Sequence, residues 1–376
     1  MSPWGHLDKL EEWDLTNCDK LEALPSCLTM KSLTTFELVG CTRLKKFPNI
    51  LHEMKGLEML HLLDVGISEL PPSFGNLTGL KVLDIGAHLT QVILPSSIYT
   101  LQHLETLDLS GDFTFPMDVE IDRQPLCNSH ASFSNYVFPR LKLLRLFALT
   151  NRSEIDFNFN ICCPITLEVL EIGFRTKFVT LPESISRFER LSTLCIEYCD
   201  ELREIPRLPQ SIRYVEALNC HSLDSQSLFH QFREIIGLPP NLPPCLGVTS
   251  HVLKATHSYT EGFPYHCSEY RILVPGDENE IPNWFNHQRV GNLISFSIGP
   301  EFPTIALCLA FQKEDYSTLS SFLIHVNISI NGSKRTFEIT PTSSNTKNGH
   351  LYFSCRPQSS LQKLFQDLNL GDQKSC

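Results

Sequence analysis

Apolar residues recur along the first two thirds of the chain in one short phrase. It reads "LEEWDLTNC" from Leu10, "LTTFELVGC" from Leu33, "LEMLHLLDV" from Leu57, "LKVLDIGAH" from Leu80 and "LETLDLSGD" from Leu104, at spacings of 23, 24, 23 and 24 residues. After an interruption it returns as "LKLLRLFAL" from Leu141, "LEVLEIGFR" from Leu167, "LSTLCIEYC" from Leu191 and "IRYVEALNC" from Ile212. Within each phrase the later apolar positions alternate with polar ones, the period of a short strand with one buried face. One such strand per unit cannot close a core by itself, so the pattern predicts parallel strands stacked unit upon unit.

The template L-x-x-L-x-L-x-x-N/C is that of a leucine-rich repeat. Cys18, Cys41, Cys199 and Cys220 fall in its N/C slot, where a small polarizable side chain sits inside the turn. They are a repeat or more apart and form no C-x-x-C pair, which argues against a zinc or redox centre. Between strands the units read "LPPSFGNLTGL", "LPSSIYTLQHL" and "LPESISRFERL". Proline there fixes an extended backbone, and Ser or Asn after it is expected to cap a short helix on the convex side. Residues 110–140 break the period with a polar insertion rich in aromatics, expected to project as a solvated loop or a contact island.

Alternation also assigns the residue between the two inward positions of each strand to the open, concave face. Those residues are Asp14, Glu37, His61, Asp84, Asp108, Arg145, Glu171, Cys195 and Glu216, and six of the nine are acidic. Like charges on neighbouring strands cost stability, and a basic partner would relieve the cost; a merely solvated face is the other reading.

Past residue 223 the repeats give way to an amphipathic helix ending at Gly237 and a Pro-rich run at 239–244. The pattern then changes to alternation: "YRILV", "LISFSIG", "TIALCLAF" and "FLIHVNISINGSKRTFEIT", the last with an Asn331-Gly332 hairpin signal. The expected fold is therefore an α/β leucine-rich-repeat solenoid at 1–236, a linker at 237–268, and an all-β antiparallel sandwich at 269–376.

Charge is unevenly shared. Residues 1–236 hold 21 Lys and Arg against 31 Asp and Glu, most of the net −11. That balance argues against a basic footprint for phosphate contacts, so no nucleic-acid partner is expected. Acids in the first fifteen residues speak against a signal peptide, and the longest uncharged apolar run, "IALCLAF", is far short of a membrane span of about 20 residues. Reduced thiols and a place in the cytoplasm or nucleus follow, and the sequons at Asn76, Asn151, Asn327 and Asn331 are read as chance matches.

The "LPxSIxxLxxL" units, the exit helix "SLDSQSLFHQFREII" and the segment "VPGDENEIPNWFNHQRVGNLISFSIGPEFPTIALCLAF" together resemble the C-terminal half of plant intracellular immune receptors of the TIR-nucleotide-binding-leucine-rich-repeat class. The part after the repeats resembles their jelly-roll/Ig-like domain (C-JID), with Pro275, Gly276, Glu280, Ile281, Pro282, Trp284 and Phe285 at its motif. The resemblance implies a protein-recognition module that binds pathogen effector proteins, alone or as a decoy or helper of full-length receptors. It also implies that Trp284 and Phe285 anchor their segment to the β-domain core, with Asp277, Glu278 and Glu280 exposed around it. In the family, nucleotide binding and NAD cleavage belong to other domains; the sequence shows no G-x-x-x-x-G-K-[ST] loop, so neither activity, no catalytic residue and no cofactor are expected here. The chain ends at "DLNLGDQKSC", where the family continues, so the last strands of the sandwich are expected to be missing. His251, His257, His266 and Cys267 are metal-capable but match no zinc spacing.

Overall fold

Each leucine-rich phrase forms one strand, and the leucines in its inward slots point away from water. In the computed structural model the described residues are 9–114, 138–148, 165–173, 179–237, 245–250, 270–276, 281–285, 287–290, 305–311, 324–330, 333–339, 349–356, 359, 362–363 and 365. The chain gathers into two units, Met1–Leu191 with Pro206–Ser211, and Ser192–Ile205 with Ile212–Cys376. This division differs from the boundary expected at 237, since the last two repeats fall in with the chain that follows them.

The first unit contains β1 (Glu12–Asp14), β2 (Cys27–Leu28), β3 (Thr35–Glu37), β4 (Asn49–Ile50), β5 (Met59–Leu62), β6 (Val82–Ile93), β7 (Thr106–Thr114), β8 (Leu143–Phe147) and β9 (Val169–Gly173). β1, β3, β5, β6, β7, β8 and β9 pair in that order, all parallel. Parallel pairing follows from the solenoid path, because each unit returns to start its next strand in the same direction. Leu33, Leu57, Leu80 and Leu104, the first leucines of their phrases, are all 0% exposed. At the N-terminal end aromatics replace leucine in the inward slots: Trp13 stacks on Phe36 at 4.8 Å between centroids, and Phe36 leads on to Phe47 and Phe74.

The Pro-containing segments form 3-10 turns at Pro72–Asn76, Ser96–Thr100 and Glu183–Arg187, with no side-chain cap. The serines expected as caps do another job. Ser73 Oγ accepts from Ile50 N at 2.9 Å and Ser97 Oγ from Gly75 N at 3.2 Å, so each hydroxyl fastens its repeat to the preceding one. Asn76 Nδ2 likewise donates to the Ile50 carbonyl at 2.7 Å, which commits that sequon asparagine to the fold.

The second unit contains β10 (Thr193–Glu197), β11 (Tyr214–Leu218), the exit helix (Ser225–Ile236), β12 (Cys245–Ser250), β13 (Tyr270–Pro275), β14 (His287–Val290), β15 (Ile305–Phe311), β16 (Ile324–Ile330), β17 (Ser333–Ile339) and β18 (His350–Arg356). Asp224 caps the exit helix by accepting from Gln226 N and Ser227 N, and Gly237 closes it in the left-handed conformation, as the sequence signals required. Beyond the helix the strands join one sheet in the order β10-β11-β13-β18-β15-β12-β14. β11 and β13 are parallel, β13, β18 and β15 antiparallel, and β15, β12 and β14 parallel again. Among the described residues this mixed sheet, with β16–β17 as a separate antiparallel pair, differs from the expected antiparallel sandwich. The chain passes through the exit helix and β12 before β13 returns beside β11 in the same direction, and alternation in sequence does not encode that choice of neighbour. β12 also lies inside the stretch read as a linker.

Candidate functional site

The residues assigned to the open face from alternation stand in one register row. Asp14 pairs with Glu37, Glu37 with His61, His61 with Asp84, Asp84 with Asp108, Asp108 with Arg145, and Arg145 with Glu171. Because paired residues on neighbouring strands point the same way, the seven side chains form a continuous strip across the first unit, opposite the leucine core. Asp14 is exposed and the other six are half-buried.

The strip is not simply acidic. His61 Nδ1 lies 2.5 Å from Asp84 Oδ2. Arg145 Nε donates to Glu171 Oε2 at 2.6 Å, and its Nη1 stands 3.8 Å from Asp108 Oδ2. Asp84 and Asp108, however, face each other across β6 and β7 with side chains only 19% and 21% exposed. Burial, and then the Asp84 charge, push the Asp108 carboxyl up to about 6 against the counteracting Arg145 guanidinium. Asp14 shifts the opposite way, held below its ordinary value by hydrogen bonds from Thr16.

In the second unit the row changes character. Cys195 pairs with Glu216 and Glu216 with Leu273, and the three are 5%, 0% and 1% exposed. Glu216 is therefore not a contact residue on an open face, which corrects its assignment to the concave strip. Its row continues into Leu273 and then Tyr352, both buried, a continuation that the repeat template does not foresee.

The cysteines of the N/C slot are structural. Cys41 Sγ donates to Leu15 O at 3.1 Å, Cys199 Sγ to Glu197 O at 3.5 Å and Cys220 Sγ to Leu218 O at 3.4 Å. Burial raises the Cys41 thiol, while a hydrogen bond involving Cys199, followed by burial, raises Cys220; both therefore stay protonated, unsuited to metal binding or nucleophilic attack. Among the described residues no group of three or more His, Cys, Asp or Glu could hold a metal ion, and no helix is long and apolar enough to cross a membrane. His251, His257, His266 and Cys267 lie outside the described residues, as does the bulk of the insertion, 115–137.

The Pro-Gly…Ile-Pro…Trp-Phe motif meets the exit helix at Pro275 and Trp284. Pro275 ends β13, its carbonyl accepting from Ser225 Oγ at 2.7 Å, and Gly276 N donates to Gly349 O at 3.0 Å. Asp277, Glu278 and Glu280 lie outside the described residues. Ile281 and Pro282 are buried, Phe285 is 2% exposed, and Trp284 is half-buried. Trp284 stacks on Phe285 at 4.2 Å, both meet Phe353 edge-on, and Arg233 of the exit helix lies over the indole at 5.6 Å. These contacts tie the helix to the sheet rather than lining a cleft.

A family of leucine-rich repeats described as "Disease resistance protein RPS4B-like" matches residues 29–231. The chain belongs to this family. The match covers the repeats and leaves the strands beyond residue 231 outside it. Among curated relatives, Disease resistance protein RPS4B of Arabidopsis thaliana is 24% identical over 90% of this chain and 28% of its own length. Protein SUPPRESSOR OF npr1-1, CONSTITUTIVE 1 of Arabidopsis thaliana is 29% identical over 98% of this chain and 24% of its own length. TMV resistance protein N of Nicotiana glutinosa is 27% identical over 55% of this chain and 21% of its own length. The chain thus spans about a quarter of the length of these relatives.

The structure also exposes what the sequence reading passed over. Two positions before the charged residue, each strand sets another side chain on the same face: Thr35, Met59, Val82, Thr106, Leu143 and Val169 follow one another in register. Met59 is 40% exposed. The signal was present, since the same period carries it, but a leucine or valine in an apolar-rich phrase is ordinarily taken for core.

Proposed function

We propose that this RPS4B-like chain is a non-enzymatic recognition module of plant defence, acting in the cytoplasm or nucleus, and that it binds a pathogen effector protein on the open face of the repeat sheet, either within a receptor or beside full-length receptors. The observation that carries this reading is the register row from Asp14 to Glu171, which gathers seven polar side chains into one strip on a rigid parallel sheet. A sheet of stacked repeats holds such a strip in place without loops, which suits recognition of an extended protein surface. The β-domain motif residues Pro275, Gly276, Ile281, Pro282, Trp284 and Phe285 serve the reading as scaffold, Pro275 and Trp284 meeting the exit helix and Phe285 packing on Trp284 and Phe353.

The test is site-specific photo-crosslinking in infected plant tissue, with the crosslinker placed at position 59 or 84 on the strip or at Leu51, which is 56% exposed and outside the charged row. Capture of a pathogen-encoded protein from positions 59 and 84 but not 51 is the expected result. Capture from 51 alone, or none from the strip during a resistance response, would remove the open face from recognition.

A further inference from the structure

Two parallel rows occupy the open face of β5 to β8, one charged and one apolar except for Thr106 on β7. Met59 and His61, Val82 and Asp84, and Leu143 and Arg145 are pairs two residues apart on single strands, so each apolar group lies roughly 7 Å from its charged neighbour. Met59 is 40% exposed, and Val82 and Leu143 are half-buried, whereas Leu60 and Leu62, on the opposite side of β5, are 0% exposed.

At two places beside the open-face row, acid and base alternate from one repeat to the next. On the neighbouring row Lys81 Nζ meets Glu58 Oε1 at 2.7 Å and Lys142 Nζ meets Glu105 Oε2 at 2.8 Å, each acid answered by a base on the next repeat. The open-face row breaks this rule at Asp84 and Asp108. The flanking side chains are already engaged: His61 holds Asp84, and Arg145 spends its Nε on Glu171, reaching Asp108 only at 3.8 Å. Burial, and then the Asp84 charge, oppose ionisation of Asp108. A further cation between the two carboxylates would relieve that repulsion, and the apolar row beside them would cover the stem of its side chain and an apolar neighbour.

We propose that β5 to β8 form a docking strip for a protein segment carrying a lysine or arginine next to an apolar side chain, its cation seated between Asp84 and Asp108 and its apolar group over Met59 and Val82. This rests on the open face being the recognition surface, and it names the chemistry of the partner there. A free metal ion lacks the apolar half of the match, and an acidic or nucleic-acid partner would add to the repulsion.

The probes are three fluorescent synthetic peptides, alternating Lys-Leu, Lys-Ser and Glu-Leu, titrated by anisotropy against the full chain at ~0.15 M salt. The Lys-Leu peptide should bind most tightly. Asp84→Asn with Asp108→Asn should weaken it by about tenfold or more, and Met59→Ser by about threefold. Glu22→Gln with Glu53→Gln removes the same charge from exposed sites outside the strip and should leave affinity unchanged; circular dichroism checks that each variant is folded. Equal affinity of the Asp84/Asp108 variant and the wild type, equal binding of Lys-Ser and Lys-Leu, or an equal loss in the Glu22/Glu53 variant would each overturn the proposal. If the peptides fail while a pathogen protein still crosslinks to positions 59 and 84, this inference falls and the broader function stands. If the peptides behave as expected but no pathogen protein crosslinks to the strip, the broader function falls alone.

Discussion

Arg145 donates through Nε to Glu171 Oε2 at 2.6 Å, while the other glutamate oxygen is buried without a hydrogen-bond partner among the described residues. The pair thus depends on one charge-assisted bond in a site where Glu171 is only 12% exposed. Truncating the cation leaves the Glu171 carboxylate half-buried without its charge-assisted bond, one strand further along the row from Asp108's neighbour. Arg145→Met should cost about 1–3 kcal/mol in urea unfolding. Adding Glu171→Gln should recover part of the loss, and a double-mutant cycle with coupling near zero would show that the bond contributes nothing to stability.

Asp108 makes stability depend on pH in the direction opposite to an ordinary ion pair. Its folded value, about 6, lies above the unfolded value of 3.8, so its protonated form favours the native state. The stabilisation is fully present below about pH 4 and disappears as pH rises through about 6. At pH 7 the ionised group is a burden of up to about 3 kcal/mol, reduced by whatever screening solvent provides. Asp108→Asn should therefore be more stable than wild type at pH 7 by about 1–3 kcal/mol, with the gap closing toward pH 4. Comparing the two proteins, rather than following one, removes the opposite contributions of Asp14 and Glu105, whose carboxyls are held low. A gap that does not vary between pH 4 and 7 would mean that Asp108 titrates normally.

The repeat sheet was legible because its signal is local and repeated: one leucine phrase makes one strand, and period two assigns each residue a face. Asp14 through Glu171 could therefore be placed before any coordinates. What the sequence withheld was pairing beyond the repeats. Nothing in "YRILV" says that Tyr270–Pro275 will lie parallel to β11, and this choice of neighbour buries Glu216 between Cys195 and Leu273. The state of the charged row was equally hidden, since it depends on which oxygen Arg145 reaches and not on its being arginine. Ser73 and Ser97 were misread for a related reason, their partners being a repeat away rather than in their own turn.

Phe285 and Trp284 are adjacent in sequence but unequal in burial, and their substitutions should separate. Phe285→Ala removes a fully packed ring from between Trp284 and Phe353 and should cost about 3–5 kcal/mol. Trp284→Ala, from a half-buried position, should cost less, about 1–3 kcal/mol. Because β10, β11 and β13 belong to one unit, hydrogen exchange in the Phe285 variant should rise in all three strands, with β3 to β7 keeping their protection. Exchange that rises in β13 alone would place the cooperative boundary at the Pro-rich segment instead.

Two glycines with positive φ offer a test that separates backbone conformation from crowding. Gly237, φ +69°, closes the exit helix, and a Cβ there would meet nothing within 4 Å. Gly111, φ +108°, lies in β7 opposite Ala87, where the β6–β7 register shifts. A Cβ on Gly111 would lie 2.5 Å from the Ala87 carbonyl carbon and oxygen, backbone atoms that cannot swing aside. Gly237→Ala should therefore show only the cost of a left-handed alanine, about 1 kcal/mol. Gly111→Ala adds displacement of the neighbouring strand and should lose roughly 2–4 kcal/mol, with exchange rising along β6 and β7. Equal losses at the two sites would mean that β7 can slide past the bulge, and that the long β6–β7 ribbon is looser than its pairing implies.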